Sequence, residues 1–259
     1  MGKDQPRYLF GHMSPLMAKD NRNHEAGQVF PASCDILCYP MNLKAFSAAA
    51  VDESLGAFWA ALEHLAAHKV RRMALGGIPV AALPGRKRIL ALLDEARGRT
   101  DIPVTAVFED VIDAFKALGV RRIAVAAKWE RSLMQAVADY LADGGITVVG
   151  ESAKPHTAEQ VMQIGEAEGT NMAIELGRQA LRNFPQAEAL LVAGGAWRSL
   201  DSVPILEQEF GKPVINNSGA EFWASMKMVG VHSPKLGWGV LIDSLHPERA
   251  TRAPSAVVS

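Results

Sequence analysis

The chain has 259 residues, 49% of them hydrophobic, and its 27 Lys and Arg against 28 Asp and Glu leave a formal net charge of −1. That length buries a large core and falls where one core begins to split into two lobes, and the even charge balance gives no electrostatic case for nucleic acid or a membrane surface. Two cysteines, Cys34 and Cys38, are too few for a disulfide framework or a four-ligand metal site. With no apolar run of about 7–15 residues at the start and none near about 18 anywhere, a cytoplasmic protein is expected.

In chain order, a first strand is expected over residues 7–10, followed by GHMSPLMAKDNRNHEAG, which is too polar and too long to be a mere connector and reads as a functional or disordered loop. Cys34 and Cys38 stand four apart, but Pro31, Pro40 and the apolar Ile36-Leu37 favour an extended segment over 35–39. Leu55, Phe58, Trp59, Leu62 and Leu65 repeat at helical spacing within residues 48–68 and lead into a strand that ends at Gly76-Gly77. A Pro-Val strand opens at Pro103, and a helix over 108–118 is stopped by Gly119.

Residues 123–126 form the next strand, with Lys128-Trp129 at its carboxyl end. A helix carrying Leu133, Val137, Tyr140 and Leu141 follows, closed by Gly144-Gly145, and then a strand over 146–149. Residues 154–169 read as a loop or lid, and a helix over 171–184 feeds a strand at 190–193 that ends at Gly194-Gly195. A second Pro-Val strand opens at Pro213, the chain returns to the first lobe after Trp223, and 251–259 read as a disordered tail. Arg86-Lys87-Arg88 and Arg121-Arg122 read as solvated or capping groups.

The recurrence of apolar run, diglycine, Pro-Val strand and helix predicts an α/β protein of two similar halves with parallel sheets. The expected lobes are 1–110 with 222–250, and 111–221. Ligands sit outside the carboxyl ends of such strands, so the amides of Gly76, Gly77, Gly194 and Gly195 are expected to line a cleft between the halves. His12 is the candidate acid/base nearest neutrality, and Lys128 and Glu130 are titratable groups at a strand end. His24, Glu25 and His156 are secondary candidates, and a His12–His24 metal site lacks further ligand spacing. Arg198 suits a carboxylate clamp or a helix cap, and Asn216, Asn217 and Ser218 are small polar residues at a buried strand end that need partners.

The GHMSP segment, TAVFEDVIDAFKALGVRRIAVAAKW, GGAWRSLDSVP and KPVINNSGAEFWASM together resemble the arylmalonate decarboxylase and maleate cis-trans isomerase branch of the Asp/Glu racemase superfamily, over nearly the whole chain. The resemblance implies two pseudo-symmetric Rossmann-like halves with a small carboxylate bound in the cleft between them, no cofactor and no metal. It places contacts at Ser14 and Pro15 in the first-strand loop, at Trp129 where the family commonly has a tyrosine, at Trp197 and Arg198, and at the Asn216–Ser218 run. It also places the family's two cysteines at Gly76 and Gly194, so the chain lacks both. The implied activity is a cofactor-independent isomerase or decarboxylase-like lyase working through an enolate-like intermediate with a non-cysteine acid/base. A hydrolase or hydratase with an activated water, or a protein that only binds a small acid, is the alternative. Family analogy implies a monomer or a homodimer.

Overall fold

Short apolar runs bounded by glycine or proline become buried parallel strands, and the amphipathic stretches between them become the covering helices. The computed structural model describes residues 8–15 and 21–250. Its first half runs β1 (Tyr8–Ser14), α1 (Arg22–Val29), β2 (Cys34–Pro40), α2 (Ala48–Leu55), α3 (Phe58–Ala67), β3 (Met73–Leu75), α4 (Ile78–Ala82), α5 (Arg86–Arg97), β4 (Val104–Ala106) and α6 (Val107–Ala117). The second half runs β5 (Arg122–Ala127), α7 (Arg131–Asp143), β6 (Thr147–Ala153), α8 (Ala158–Gln163), α9 (Glu166–Asn183), β7 (Ala189–Val192), α10 (Ser202–Phe210), β8 (Val214–Asn216) and α11 (Asn217–Met228). Short helices α12 (Val240–Asp243) and α13 (Pro247–Ala250) close it.

The strands form two four-stranded parallel sheets of matching order, β2-β1-β3-β4 and β6-β5-β7-β8. This is the expected doubled α/β architecture. In each half the fourth strand passes straight into a helix. Ala106 ends β4 and precedes α6, while Asn216 ends β8 and caps α11 by accepting from Gly219 N at 2.8 Å. Helices α6 and α11 pack on one another, and the expected lobe boundaries at 110/111 and 221/222 fall inside them.

Several local expectations are corrected. β1 continues through Ser14 because Gly11, His12 and Met13 are paired on both sides, with Leu37, Cys38 and Tyr39 of β2 and with Met73, Ala74 and Leu75 of β3. Pairing on two edges overrides the turn signal of Gly-His. The polar stretch beyond it contains helix α1; Arg7 and residues 16–20 lie outside the described residues, as does the expected tail at 251–259. The helix expected over 48–68 is broken, since at Gly56 and Ala57 the backbone turns to i→i−3 hydrogen bonding with Glu53 O (3.1 Å) and Ser54 O (3.1 Å). β6 runs on to Ala153, and the expected loop at 154–169 holds α8, closed by a Thr157/Gln160 capping box, and the start of α9. Among the described residues no helix is long and apolar enough to cross a membrane.

Candidate active site

The carboxyl ends of β1, β3, β5 and β7 converge on an open cleft of about 490 Å³, a volume that includes the solvent at its mouth. Its polar lining is His12, Arg22, Lys128 and Asn217; Gly77, Gly194 and Gly195 supply backbone, and Pro15, Leu43, Phe46, Ile78, Pro79, Trp129, Val161 and Ala196 supply apolar wall. Small-molecule sites commonly have this make-up, a largely apolar recess with a few convergent polar groups.

On the first-lobe side, His12 is 1% exposed and its Nδ1 lies 2.8 Å from Glu221 Oε1. The carboxylate fixes the ring so that Nε2 points towards Gly76, the arrangement that tunes a histidine for proton transfer. Arg22 Nε stands 3.0 Å from the other oxygen of Glu221, and Arg22 Nη1 also donates to Ser218 Oγ, which in turn donates to Glu25. Burial pulls the Glu221 carboxyl upward, but the opposing charges of His12, Arg22 and Arg72 and the His12 hydrogen bond outweigh it and hold the group below its ordinary value. Glu221 is therefore a carboxylate that orients His12 and neutralises Arg22.

On the second-lobe side, Lys128 is 1% exposed, and its Nζ makes no hydrogen bond among the described residues. The amine sits over the indole of Trp197 at 4.2 Å and near that of Trp129 at 5.5 Å. Burial lowers its pKa well below the ordinary lysine value, favouring the neutral amine. Three further buried donors nearby are also without acceptors among the described residues, Asn217 Nδ2, Trp129 Nε1 and Trp197 Nε1. Asn217 Oδ1 accepts from Gly194 N at 3.0 Å, which fixes the amide and leaves Nδ2 as the donor offered to the cleft.

The glycine pairs have a steric reason. A Cβ on Gly76 would lie 2.4 Å from His12 Cε1, 2.6 Å from His12 Nε2 and 2.7 Å from Met13 O. A Cβ on Gly194 would lie 2.5 Å from Lys128 Nζ, and the backbone there has φ +105°, which side-chain-bearing residues rarely adopt. The N–H groups of these two glycines are occupied, Gly76 by Met13 O at 2.9 Å and Gly194 by Asn217. Gly76 thus stands behind the lining, and of the three glycines that line the cleft, Gly77, Gly194 and Gly195, Gly194 does so with its amide already engaged.

Of the residues singled out from sequence, His12, Pro15, Gly77, Lys128, Trp129, Gly194, Gly195 and Asn217 are brought together in the cleft lining. Gly76 packs behind His12, Trp197 lies under the Lys128 amine, and Ser14 is buried at the end of β1. Ser218 serves the Arg22–Glu25 network, and Asn216 is spent on the α11 cap and on Ser199 Oγ at 3.1 Å. Glu130 is exposed at the start of α7, and Arg198 pairs with Glu166 at 3.1 Å; neither lines the cleft. His24 is exposed on α1, and His156 Nδ1 engages Lys154 O at 2.7 Å. Among the described residues no group of three or more His, Cys, Asp or Glu is placed to hold a metal ion. Sequence reasoning missed Arg22 and Glu221. A signal for the second exists: a glutamate flanked by Ala220 and Phe222 on a helix with few other charges is a buried charge in need of partners.

The family model described as arylmalonate decarboxylase matches residues 15–242. An arylmalonate decarboxylase of Bordetella bronchiseptica is 28% identical over 154 residues, which are 59% of this chain and 63% of that protein, so the match spans under two thirds of the relative's length. A crystal structure of a doubly substituted arylmalonate decarboxylase in its liganded form superposes with a TM-score of 0.81 at 20% identity, over 92% of this chain and 99% of the other. A maleate isomerase from Pseudomonas putida gives 0.81 at 18% identity over the same shares. A maleate cis-trans isomerase from Nocardia farcinica bound to TRIS gives 0.77 at 17%, over 91% and 97%. At these identities the structural likeness is one of fold.

Proposed function

We propose, because this chain belongs to the arylmalonate decarboxylase family, that it is a cofactor-independent decarboxylase or isomerase of a small carboxylate, with His12 and Lys128 as its proton carriers. The observation that carries the reading is the exchange of volumes at the two diglycines. The resemblance puts cysteines at Gly76 and Gly194, and here the space beside each α-carbon is filled by His12 and by the Lys128 amine. Two nitrogen groups therefore face the cleft from opposite lobes at the points where two thiols would have stood.

The orphaned donors support an acceptor-rich ligand. Asn217 Nδ2 and Trp129 Nε1 are buried without partners among the described residues, and a carboxylate supplies acceptors for them. In a malonate-type substrate one carboxylate is held by these donors while the other sits against Leu43, Ile78, Pro79 and Val161. An apolar wall disfavours that second charge and favours its departure as carbon dioxide. The electron pair left behind is delocalised into the retained carboxylate as an enediolate, which the same donors and the Gly77 and Gly195 backbone stabilise. A proton from His12 on one face completes the reaction, while the neutral Lys128 amine on the other face is a proton acceptor.

The test is turnover in deuterium oxide followed by NMR, with aryl- and alkylmalonates and maleate as substrates. Decarboxylation that leaves one deuterium on the former malonate carbon is expected, and His12→Gln is expected to lower the rate by about 10²–10⁴-fold. Folded protein that binds a malonate by calorimetry yet neither releases carbon dioxide, isomerises maleate nor incorporates deuterium is a holding protein, and the proposal fails.

A further inference from the structure

Lys128 offers more than a proton. Its amine is 1% exposed, lies within the cleft and has no hydrogen-bond acceptor among the described residues. Among the described residues an ammonium group there would have neither a carboxylate nor a carbonyl to receive its three N–H donors; the faces of Trp197 and Trp129 attend it. If the role were to pair with an anion as a charge, burial without an acceptor would oppose it. An amine held in an apolar site with its lone pair available is a nucleophile towards carbonyl carbon. The neighbouring donors, Asn217 Nδ2 and Trp129 Nε1, ask for an acidic group on the same molecule.

We infer that Lys128 forms a Schiff base with the ketone of a small 3-oxo acid, so that the cleft decarboxylates such acids through an enamine. This rests on the reading of the cleft as a carboxylate site, and it names a substrate class beyond malonates. The Nζ lone pair forms a C–N bond to the ketone carbon as the carbonyl π pair moves to oxygen. Proton transfer from nitrogen to oxygen, uptake of one further proton and loss of water give the protonated imine. The C–C bond to the carboxylate then breaks, carbon dioxide leaves, and the electron pair enters the iminium to give a neutral enamine. His12 delivers a proton to the carbon, and water hydrolyses the resulting iminium, releasing the ketone and regenerating the amine. The sum is one 3-oxo acid anion and one proton giving one ketone and carbon dioxide. The iminium supplies the electron sink that a 3-oxo acid needs without any bound cofactor.

The experiment is reductive trapping on the full chain. The protein is incubated with acetoacetate, sodium borohydride is added, and the modified lysine is located by peptide mass spectrometry. A secondary amine at Lys128 is expected, at least about tenfold above the labelling of the exposed Lys154, because a neutral amine reacts where a protonated one does not. Malonate, which has the carboxylates but no ketone, is expected to suppress the labelling by filling the site. Lys128→Met is expected to lose it while keeping the wild-type circular dichroism spectrum. Labelling of Lys128 no greater than that of Lys154, or labelling that malonate does not suppress, overturns the inference, and both readings need only the wild-type protein. Malonate decarboxylation without any adduct at Lys128 leaves the lysine a proton carrier and sinks this inference alone. An adduct without malonate turnover sinks the malonate chemistry and leaves the carbonyl site standing.

Discussion

At the scale of single residues, Lys128 is a base lodged where its charged form is disfavoured. Its folded-state pKa is depressed while the unfolded chain keeps the ordinary lysine value, so the unfolded state binds more protons over the interval between them. Stability therefore rises with pH across that interval, up to about pH 10.4. Lys128→Met is expected to flatten this slope and to add about 1–3 kcal/mol at neutral pH, since a buried amine with no hydrogen-bond acceptor among the described residues is replaced by a thioether of similar shape; denaturant melts at several pH values measure both. Glu221→Gln acts in the opposite sense. It withdraws the charge that orients His12 and balances Arg22, so kcat/KM is expected to fall by about 10²–10⁴-fold and the melting temperature to drop. His12 and Lys128 were legible in sequence because each follows a recognisable apolar run, although His12 lies within β1 and not in a loop beyond it. Arg22 and Glu221 were not, because their roles arise only when α1 meets α11, and His12 and Glu221 are 209 residues apart in the chain. Glu130 shares the strand-end position with Lys128, but the start of α7 turns it to solvent.

At the scale of elements, periodicity placed the long helices and apolar runs placed the central strands, whereas pairing decided where they end. β1 shows this: Gly11 lets Leu65 of α3 approach to 3.0 Å of where its side chain would start, a packing role that single-sequence reasoning reads as a turn. The break between α2 and α3 and the helix within 154–169 were hidden for a related reason, since one hydrogen-bonding shift or one capping box sets them. Glu207 of α10 provides an element-level test. Its carboxylate accepts from Val214 N of β8 at 3.0 Å and from Val240 N of α12 at 2.9 Å. Burial pushes it up to about 7, against the two backbone hydrogen bonds and with the help of the Asp243 charge. The folded state thus holds the proton more tightly than the unfolded chain, and this contribution is complete below about pH 4.5 and is lost as pH rises through about 7. Glu207 is expected to contribute a loss of about 3 kcal/mol over that window, and Glu207→Gln is expected to remove that share and leave the share of Asp110, which burial also pushes up to about 7; urea midpoints across the window are the measurement. A slope unchanged in the variant would place the effect elsewhere.

At the scale of the molecule, the two matched sheets are joined through helices rather than through a flexible connector. α1 of the first half reaches the second through Asn21 Nδ2 to Gly195 O at 3.2 Å and through Leu200 N to Glu25 Oε1 at 3.3 Å. Aromatic packing runs from Phe10 in β1 through Phe30 to Phe222 in α11, with ring centres 5.6 and 4.8 Å apart. The doubled architecture was readable from the repeated diglycine and Pro-Val pattern, but this stitching was not, because it depends on residues that share no local motif. A shared core predicts one cooperative unfolding transition, with far-ultraviolet circular dichroism and tryptophan fluorescence giving the same midpoint. Two separated midpoints would show that the halves unfold independently.

The placement of the two thiols carries one more consequence. Cys34 and Cys38 both stand on β2, neither lines the cleft, and burial pushes the Cys34 thiol up, away from the reactive thiolate. Enzymes that work through a cysteine are silenced when peroxide turns the thiolate into a sulfenic acid or when an alkylating reagent caps it. A cleft that works, as proposed, through an imidazole and an amine offers those reagents no cysteine sulfur. Its chemistry should persist under oxidative stress that would stop a thiol-dependent relative.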